Sequence, residues 1–140
     1  MNPKSARLLV VLSCVLVFVS AVLHQTDARA LAKDITISKK DQTLTLDCNG
    51  GAVTIKSEDN KITLTGQCNK LSVSGEHNKI QATWIREIEI SGHGNTIDVV
   101  NVAKISAKGK DNDITWKNGL DGKSPDISSN GDDNKIKQSN

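Results

Sequence analysis

The sequence predicts an all-β fold, a short parallel β-solenoid that follows a cleaved signal peptide. Three observations carry this prediction. The motif Gly-x-x-Asn-x-Ile returns along the chain, for example as GEHNKI at 75–80 and GDDNKI at 131–136. Apolar residues return with the same step and alternate with polar ones. The first thirty residues, in contrast, have the order of an export signal.

The leader has a short basic start, an apolar run over 8–23 and a small-x-small triplet at 28–30. This order is typical of a secretory signal peptide and predicts cleavage after Ala30. The apolar run is shorter than the roughly 20 residues that a membrane span needs, so we expect no span in the mature form. An uncleaved anchor, or a lipoprotein processed at Cys14, is the alternative.

Removal of the leader leaves a mature chain without net charge. Three of the 18 basic and one of the 16 acidic residues lie before residue 31, so fifteen of each remain. Trp84 and Trp116 are the only aromatic side chains left. Such a chain has neither the positive surface nor the stacking platform that nucleic acid requires, and we expect no nucleic-acid partner.

Asparagines at intervals of 18, 17, 17 and 22 residues mark the repeat, namely Asn60, Asn78, Asn95, Asn112 and Asn134. One apolar column follows two positions later, and a second lies half a repeat away, so each coil holds two short strands. Such a unit cannot bury its apolar face alone and must stack on its neighbours. We therefore expect four to five parallel coils of 17–18 residues, spaced by about 4.8 Å.

An antiparallel meander or sandwich is the rival fold, because strands every eight or nine residues suit it too. The two halves of each repeat differ, however, and Gly-x-x-Asn marks chiefly one of them. Parallel coils place like residues on like, which favours the solenoid. The predicted organisation is a signal peptide over 1–30, a solenoid domain over 31–116, and an irregular last coil with a polar tail over 117–140.

The repeated motif is interpreted as architecture. The stacked asparagines are expected to form a hydrogen-bonded ladder along the axis, because a carboxamide carries both donors and acceptors. The motif's glycines are expected to turn the chain with positive φ, and they are Gly75, Gly92, Gly109 and Gly131. At the other corner, Cys48 and Cys68 fall on neighbouring coils, which predicts a disulfide in an exported chain.

The tandem Asn-x-hydrophobic-x-hydrophobic-x-Gly units resemble a bacterial exported family, the domain of unknown function 3060. The stretches that carry the resemblance are NKITLTGQCNKLSVSGEHNKI and REIEISGHGNTIDVV, within about residues 42–116. The cysteine after the glycine in LTGQC is also typical of that pattern. The resemblance implies a secreted or envelope setting and no catalytic residue.

We find no catalytic set and no cofactor motif in the sequence. His77 and His93 lie at the Gly-x-x-Asn corner of adjacent coils and are candidate zinc or copper ligands. Trp84 either fills the core or contacts a sugar or a protein, and core filling is favoured. We predict an exported, non-catalytic structural or protein-interaction module of the periplasm or cell exterior. Its partner is an unknown protein or envelope component, and end-to-end self-association is also expected. A metal- or glycan-binding module is the alternative.

Overall fold

The computed structural model describes residues 32–140, so the predicted signal peptide lies outside the described residues. Strands make up most of this part of the chain, with one 3-10 turn at Leu120–Gly122. Within residues 32–140, no helix has the length and apolar character that a membrane crossing requires. The strands are β1 (Ile35–Ile37), β2 (Thr43–Asp47), β3 (Ala52–Ile55), β4 (Lys61–Val73), β5 (Lys79–Ile90), β6 (Thr96–Ala107), β7 (Asp113–Gly119), β8 (Asp126–Ser129) and β9 (Lys135–Gln138).

The strand register confirms the predicted solenoid. Every strand pairs in parallel with the strand one coil away, and the predicted apolar columns lie in register. Ile80, for example, aligns with Ile62 on one side and Ile97 on the other. The described chain makes six coils rather than the expected four to five, because β1 with β2 and β8 with β9 also follow the register.

The strands are longer than the three-residue segments expected. β4, β5 and β6 contain 13, 12 and 12 residues, because each runs through one corner of the coil and continues on the opposite side. In these three coils the strand is therefore interrupted only at the other corner. We call these the cystine corner, which contains Cys48 and Cys68, and the asparagine corner, which contains the Gly-x-x-Asn motifs.

The solenoid has two broad outer surfaces. The threonine face is the outer side of β2, β7, β9 and the first halves of β4, β5 and β6, where threonines are frequent. The charged face is the outer side of β1, β3, β8 and the second halves of β4, β5 and β6. Between them lies a continuous core of Ile, Val and Leu side chains, most of them fully buried. Burial of each such side chain stabilises the fold by about 1.5–3 kcal/mol.

The segment 117–140 adds two strands to the stack. Ile127 aligns with Ile105, and Ile136 aligns with Ile114, so β8 and β9 continue both apolar columns. The longer repeat of 22 residues is taken up by the 3-10 turn before β8, where Asp121 has a φ of 56°. The irregularity is therefore a local insertion at the cystine corner.

Candidate functional site

The asparagine corner contains a continuous hydrogen-bonded ladder. Asn95 is fully buried, and its Oδ1 accepts hydrogen bonds from the backbone N and the Nδ2 of Asn78 at 2.9 and 3.1 Å. Its Nδ2 donates to Asn112 Oδ1 at 3.1 Å and to the Gly75 carbonyl at 3.0 Å. The same pattern extends to Asn60 and Asn134. Each of the carboxamides from Asn60 to Asn112 thus joins three successive coils, and that of Asn134 joins two.

The ladder has a direction. Each asparagine donates through its backbone N–H and its Nδ2 to the Oδ1 of the asparagine one coil later in the chain. The first coil has Gln42 at this position, and the Gln42 backbone N–H donates to Asn60 Oδ1 at 2.9 Å. The Gln42 Nε2 donates to the Lys40 carbonyl at 3.0 Å.

The expected positive φ at the motif glycines is wrong, since none of Gly75, Gly92, Gly109 and Gly131 has it. These glycines are required for another reason. A Cβ added at Gly92 would overlap the Gly75 carbonyl oxygen, and the same overlap recurs one coil further at Gly109. The glycines therefore allow the coils to approach closely at this corner.

The left-handed conformation falls instead on the residue just before each asparagine. His77 has a φ of 53°, and Gly94 in the next coil has a φ of 65°. The remaining residues at this position are all aspartates with φ between 55° and 58°, namely Asp59, Asp111 and Asp133, and Asp41 before Gln42 of the first coil. Aspartate, histidine and glycine are among the residue types that tolerate this region best. The sequence indicates this conformation through the Asp, His or Gly residues at the third position of the motif.

The two candidate metal ligands lie close together. The rings of His77 and His93 are edge to face, with their centroids 6.0 Å apart. His93 Nε2 lies 3.0 Å from Glu76 Oε2, so this nitrogen already has a carboxylate partner. Within residues 32–140, no three His, Cys, Asp or Glu side chains are grouped so that they could hold a metal ion. Metal binding at this pair remains a prediction.

A column of charged side chains follows the second position of the motif. Lys40 lies 3.6 Å from Glu58, and Lys110 lies 2.9 Å from Asp132, with the Glu76–His93 pair between them. The hydrogen bond from Lys110 lowers the pKa of Asp132 from its ordinary value, and Asp132 raises that of Lys110. The column has a lysine at its first coil and an aspartate at its last.

The cystine corner confirms the predicted disulfide. Cys48 and Cys68 are joined, with Cα atoms 4.9 Å apart and both side chains buried. Cys68 aligns with Ile85, and Ile85 aligns with Val102, so the cystine continues an apolar column. This column was not recognised in the sequence, because the corner residues have no common motif.

Trp84 does not fill the core as expected. Ile85 takes the inward position and is fully buried, whereas Trp84 is half-buried on the outside of the cystine corner. The Arg86 guanidinium carbon lies 5.9 Å from the Trp84 ring centroid, within reach of a cation–π interaction. Gln67 and Asn101 are its neighbours on the adjacent coils.

The charged face contains ion pairs that link successive coils. Glu89 lies between Lys70, at 2.8 Å, and Lys108, at 3.4 Å. The hydrogen bond and charge of Lys70, followed by those of Lys108, lower the pKa of Glu89 below its ordinary value. Lys104 lies 3.1 Å from Glu87 on the same face. The charges of this surface therefore largely neutralise one another.

The threonine face contains an open depression of about 440 Å³, which residues of β4, β5, β6 and β7 line, among them Asp98, Val100 and Lys117. Val100 is 40% exposed, and it is one of two large apolar side chains exposed within residues 32–140. An ion pair on this face, Lys137 with Asp113, lies near the last coil. Hydroxyl and amide groups, together with the apolar side chain of Val100, are thus accessible to a partner on this face.

These features define a disulfide-linked parallel β-solenoid with an internal asparagine ladder. The family model described as a protein of unknown function, DUF3060, matches residues 55–97 and 84–133 in two overlapping stretches. The chain belongs to this family, and the match continues past residue 116 into the last coil. A search of curated proteins and a search of solved structures found no match.

Proposed function

We propose that this protein is an exported, non-catalytic module of the cell envelope that binds another protein through its threonine face. The observation that carries the proposal is the contrast between the two outer surfaces. The charged face pairs its charges internally, whereas the threonine face keeps hydroxyl groups and Val100 accessible around an open depression. Protein interfaces combine such apolar contacts with hydrogen-bonding groups at their rim.

Two further observations support export and a non-catalytic role. A disulfide between buried cysteines is typical of an oxidising compartment outside the cytoplasm. Coils of 17–18 residues leave short connections, and catalytic residues usually require loops that enclose a substrate. The shallow, open form of the depression on the threonine face fits a binding surface better than a reaction chamber.

Photo-cross-linking in intact cells tests the proposal. A photoreactive amino acid replaces Thr83 on the threonine face in one variant and Ser106 on the charged face in a matched variant. We expect a discrete adduct of one size from position 83 and none from position 106, with the protein recovered in an exported fraction. Identical patterns from both positions, or a cytoplasmic protein with free thiols, would refute the proposal.

A glycan-binding function is the second candidate, and the exposure of Trp84 favours it. A half-buried indole beside the polar groups of Gln67 and Asn101 offers one stacking surface with amides on either side. Thermal unfolding with cell-wall glycans tests this function, since a ligand at 100 times its Kd adds about 2.7 kcal/mol to the unfolding free energy. The shift should disappear in Trp84→Ala and persist in His77→Ala with His93→Ala. If zinc or copper instead stabilises Trp84→Ala but not the variant with both histidines replaced, the result would support the predicted metal site.

A further inference from the structure

The two ends of the asparagine ladder are complementary to each other. At the last coil, the described residues offer no further Oδ1 that could accept from the Asn134 backbone N–H, although Asn134 Nδ2 reaches the Gly109 carbonyl at 2.7 Å. At the first coil, they supply no donor to Gln42 Oε1. One end therefore presents a backbone donor at Asn134, and the other presents the side-chain acceptor of Gln42, the residue at the equivalent position of the first coil.

The strands and the core are also open at both ends. Within residues 32–140, β1 and β2 pair on one edge only, and so do β8 and β9. Ile127 is 43% exposed at the last coil, and Ile35, Leu44 and Leu46 are partly exposed at the first. The first coil has an apolar depression of about 260 Å³ at these residues. Open strand edges above an exposed core favour pairing with another strand.

The charged column has opposite signs at its two ends. Lys40 stands at the first coil and Asp132 at the last, and inside the chain this column already pairs Lys110 with Asp132. A second copy stacked in register would place Asp132 beside its Lys40. The same stacking would place Ile127 against Ile35, which continues an apolar column.

We propose that the mature protein self-associates head to tail, so that the last coil of one copy stacks in parallel register on the first coil of the next. The interface is heterologous, because different surfaces meet, and it leaves a free end at each step. Assembly therefore gives open rods that lengthen with concentration. Two contacts oppose it, since Asp126 would stand beside Asp34 and Asp133 beside Asp41 of the next copy.

Sedimentation of the protein purified from the exported fraction, up to about 1 mM, tests the proposal. Mass spectrometry first establishes its N-terminus. We expect a mean mass that rises continuously with concentration. Ile127→Lys should abolish the rise, because it places an unpaired charge in the interface. Val100→Lys is the matched control, since Val100 is comparably exposed but lies on the threonine face, and it should leave the rise intact.

Mixing two end variants tests the polarity. Leu44→Lys blocks the first coil and Ile127→Lys blocks the last, so each alone should be monomeric. Their mixture should stop at a dimer, because each variant keeps one functional end. Ile35→Lys replaces Leu44→Lys if the latter fails to give a cooperative melt. Asp126→Asn should shift the wild-type assembly to several-fold lower concentrations, since it removes one of the two like-charge contacts.

Three results would overturn the proposal. The first is a wild-type protein that stays monomeric at the highest concentration. The second is an equal effect of Ile127→Lys and Val100→Lys. The third is a closed wild-type dimer, or a mixture of the end variants that remains monomeric.

Discussion

Replacement of Asn95 by alanine should be among the most destabilising single changes in the solenoid. The Asn95 side chain is fully buried and makes four hydrogen bonds, two as acceptor from Asn78 and two as donor, to Asn112 and the Gly75 carbonyl. Alanine removes all four. Asn78 Nδ2 keeps the Ser57 carbonyl, but the Asn78 backbone N–H and the Gly75 carbonyl lose their side-chain partner.

The size of the effect follows from these two orphaned groups. Each buried polar group left without a partner costs about 1–3 kcal/mol, so we expect a loss of about 4 kcal/mol in the free energy of unfolding. That is a large share of the 5–15 kcal/mol typical of a domain. Asn101→Ala is the matched control, because the Asn101 side chain is only partly buried and bonds the Thr83 carbonyl at 3.0 Å in an exposed position. It should cost about 0.5 kcal/mol or less.

Urea unfolding of the oxidised protein measures both variants. The midpoint of Asn95→Ala should fall well below that of the wild type, with the slope of the free energy against urea unchanged. The midpoint of Asn101→Ala should stay close to the wild-type value. If the two variants have equal midpoints, the ladder does not stabilise the solenoid and the reasoning fails.

Three other predictions rest on the corners and the charged face. Gly92→Ala should destabilise by about 3 kcal/mol in the same urea assay, because its Cβ would overlap the Gly75 carbonyl; Ser106→Ala on the outer surface should be nearly neutral. Reduction of the Cys48–Cys68 disulfide, which spans 20 residues, should lower the free energy of unfolding by about 3 kcal/mol. The melt of the Cys48→Ser, Cys68→Ser variant should match that of the reduced wild type and should not change when reductant is added. The pKa of Glu89 is lowered from 4.5, so its contribution to stability is complete above that pH and is lost as the pH falls through the lower folded-state value. Melts from pH 6 down to pH 2 should therefore fall less steeply for Glu89→Gln than for wild type, and an identical slope would contradict the assignment.

The stacking of the coils could be predicted from the sequence because the apolar residues of each column are separated along the chain by the length of one coil. Ile62, Ile80 and Ile97 repeat with the period of the coil, and parallel register places equivalent residues on each other. The asparagines repeat with the same period, so their ladder could be expected as soon as the coils were stacked. The step of 22 residues in the last repeat left the position of β8 and β9 unresolved.

The role of the glycines could not be predicted from a single motif. A glycine in a turn usually indicates positive φ, yet Gly92 is required because a neighbouring backbone passes too close for a side chain. That distance belongs to the packing of two coils and has no local sequence signal. Trp84 was misplaced for a related reason. Its neighbour Ile85 competes for the same inward position, and only the three-dimensional turn of the cystine corner decides between them.

The position of the disulfide complements the ladder. The first coil has Gln42 in place of asparagine, and its Nε2 bonds the Lys40 carbonyl but does not donate to Asn60 Oδ1. To the ladder this coil therefore contributes one donor, its backbone N–H, where an internal coil contributes two. Cys48 lies on this same coil, and its bond to Cys68 joins it covalently to the second. At the other end, Asn134 accepts from both donors of Asn112, and within the described residues no cystine joins the last coil. The covalent link thus lies at the end of the solenoid where the ladder is weakest.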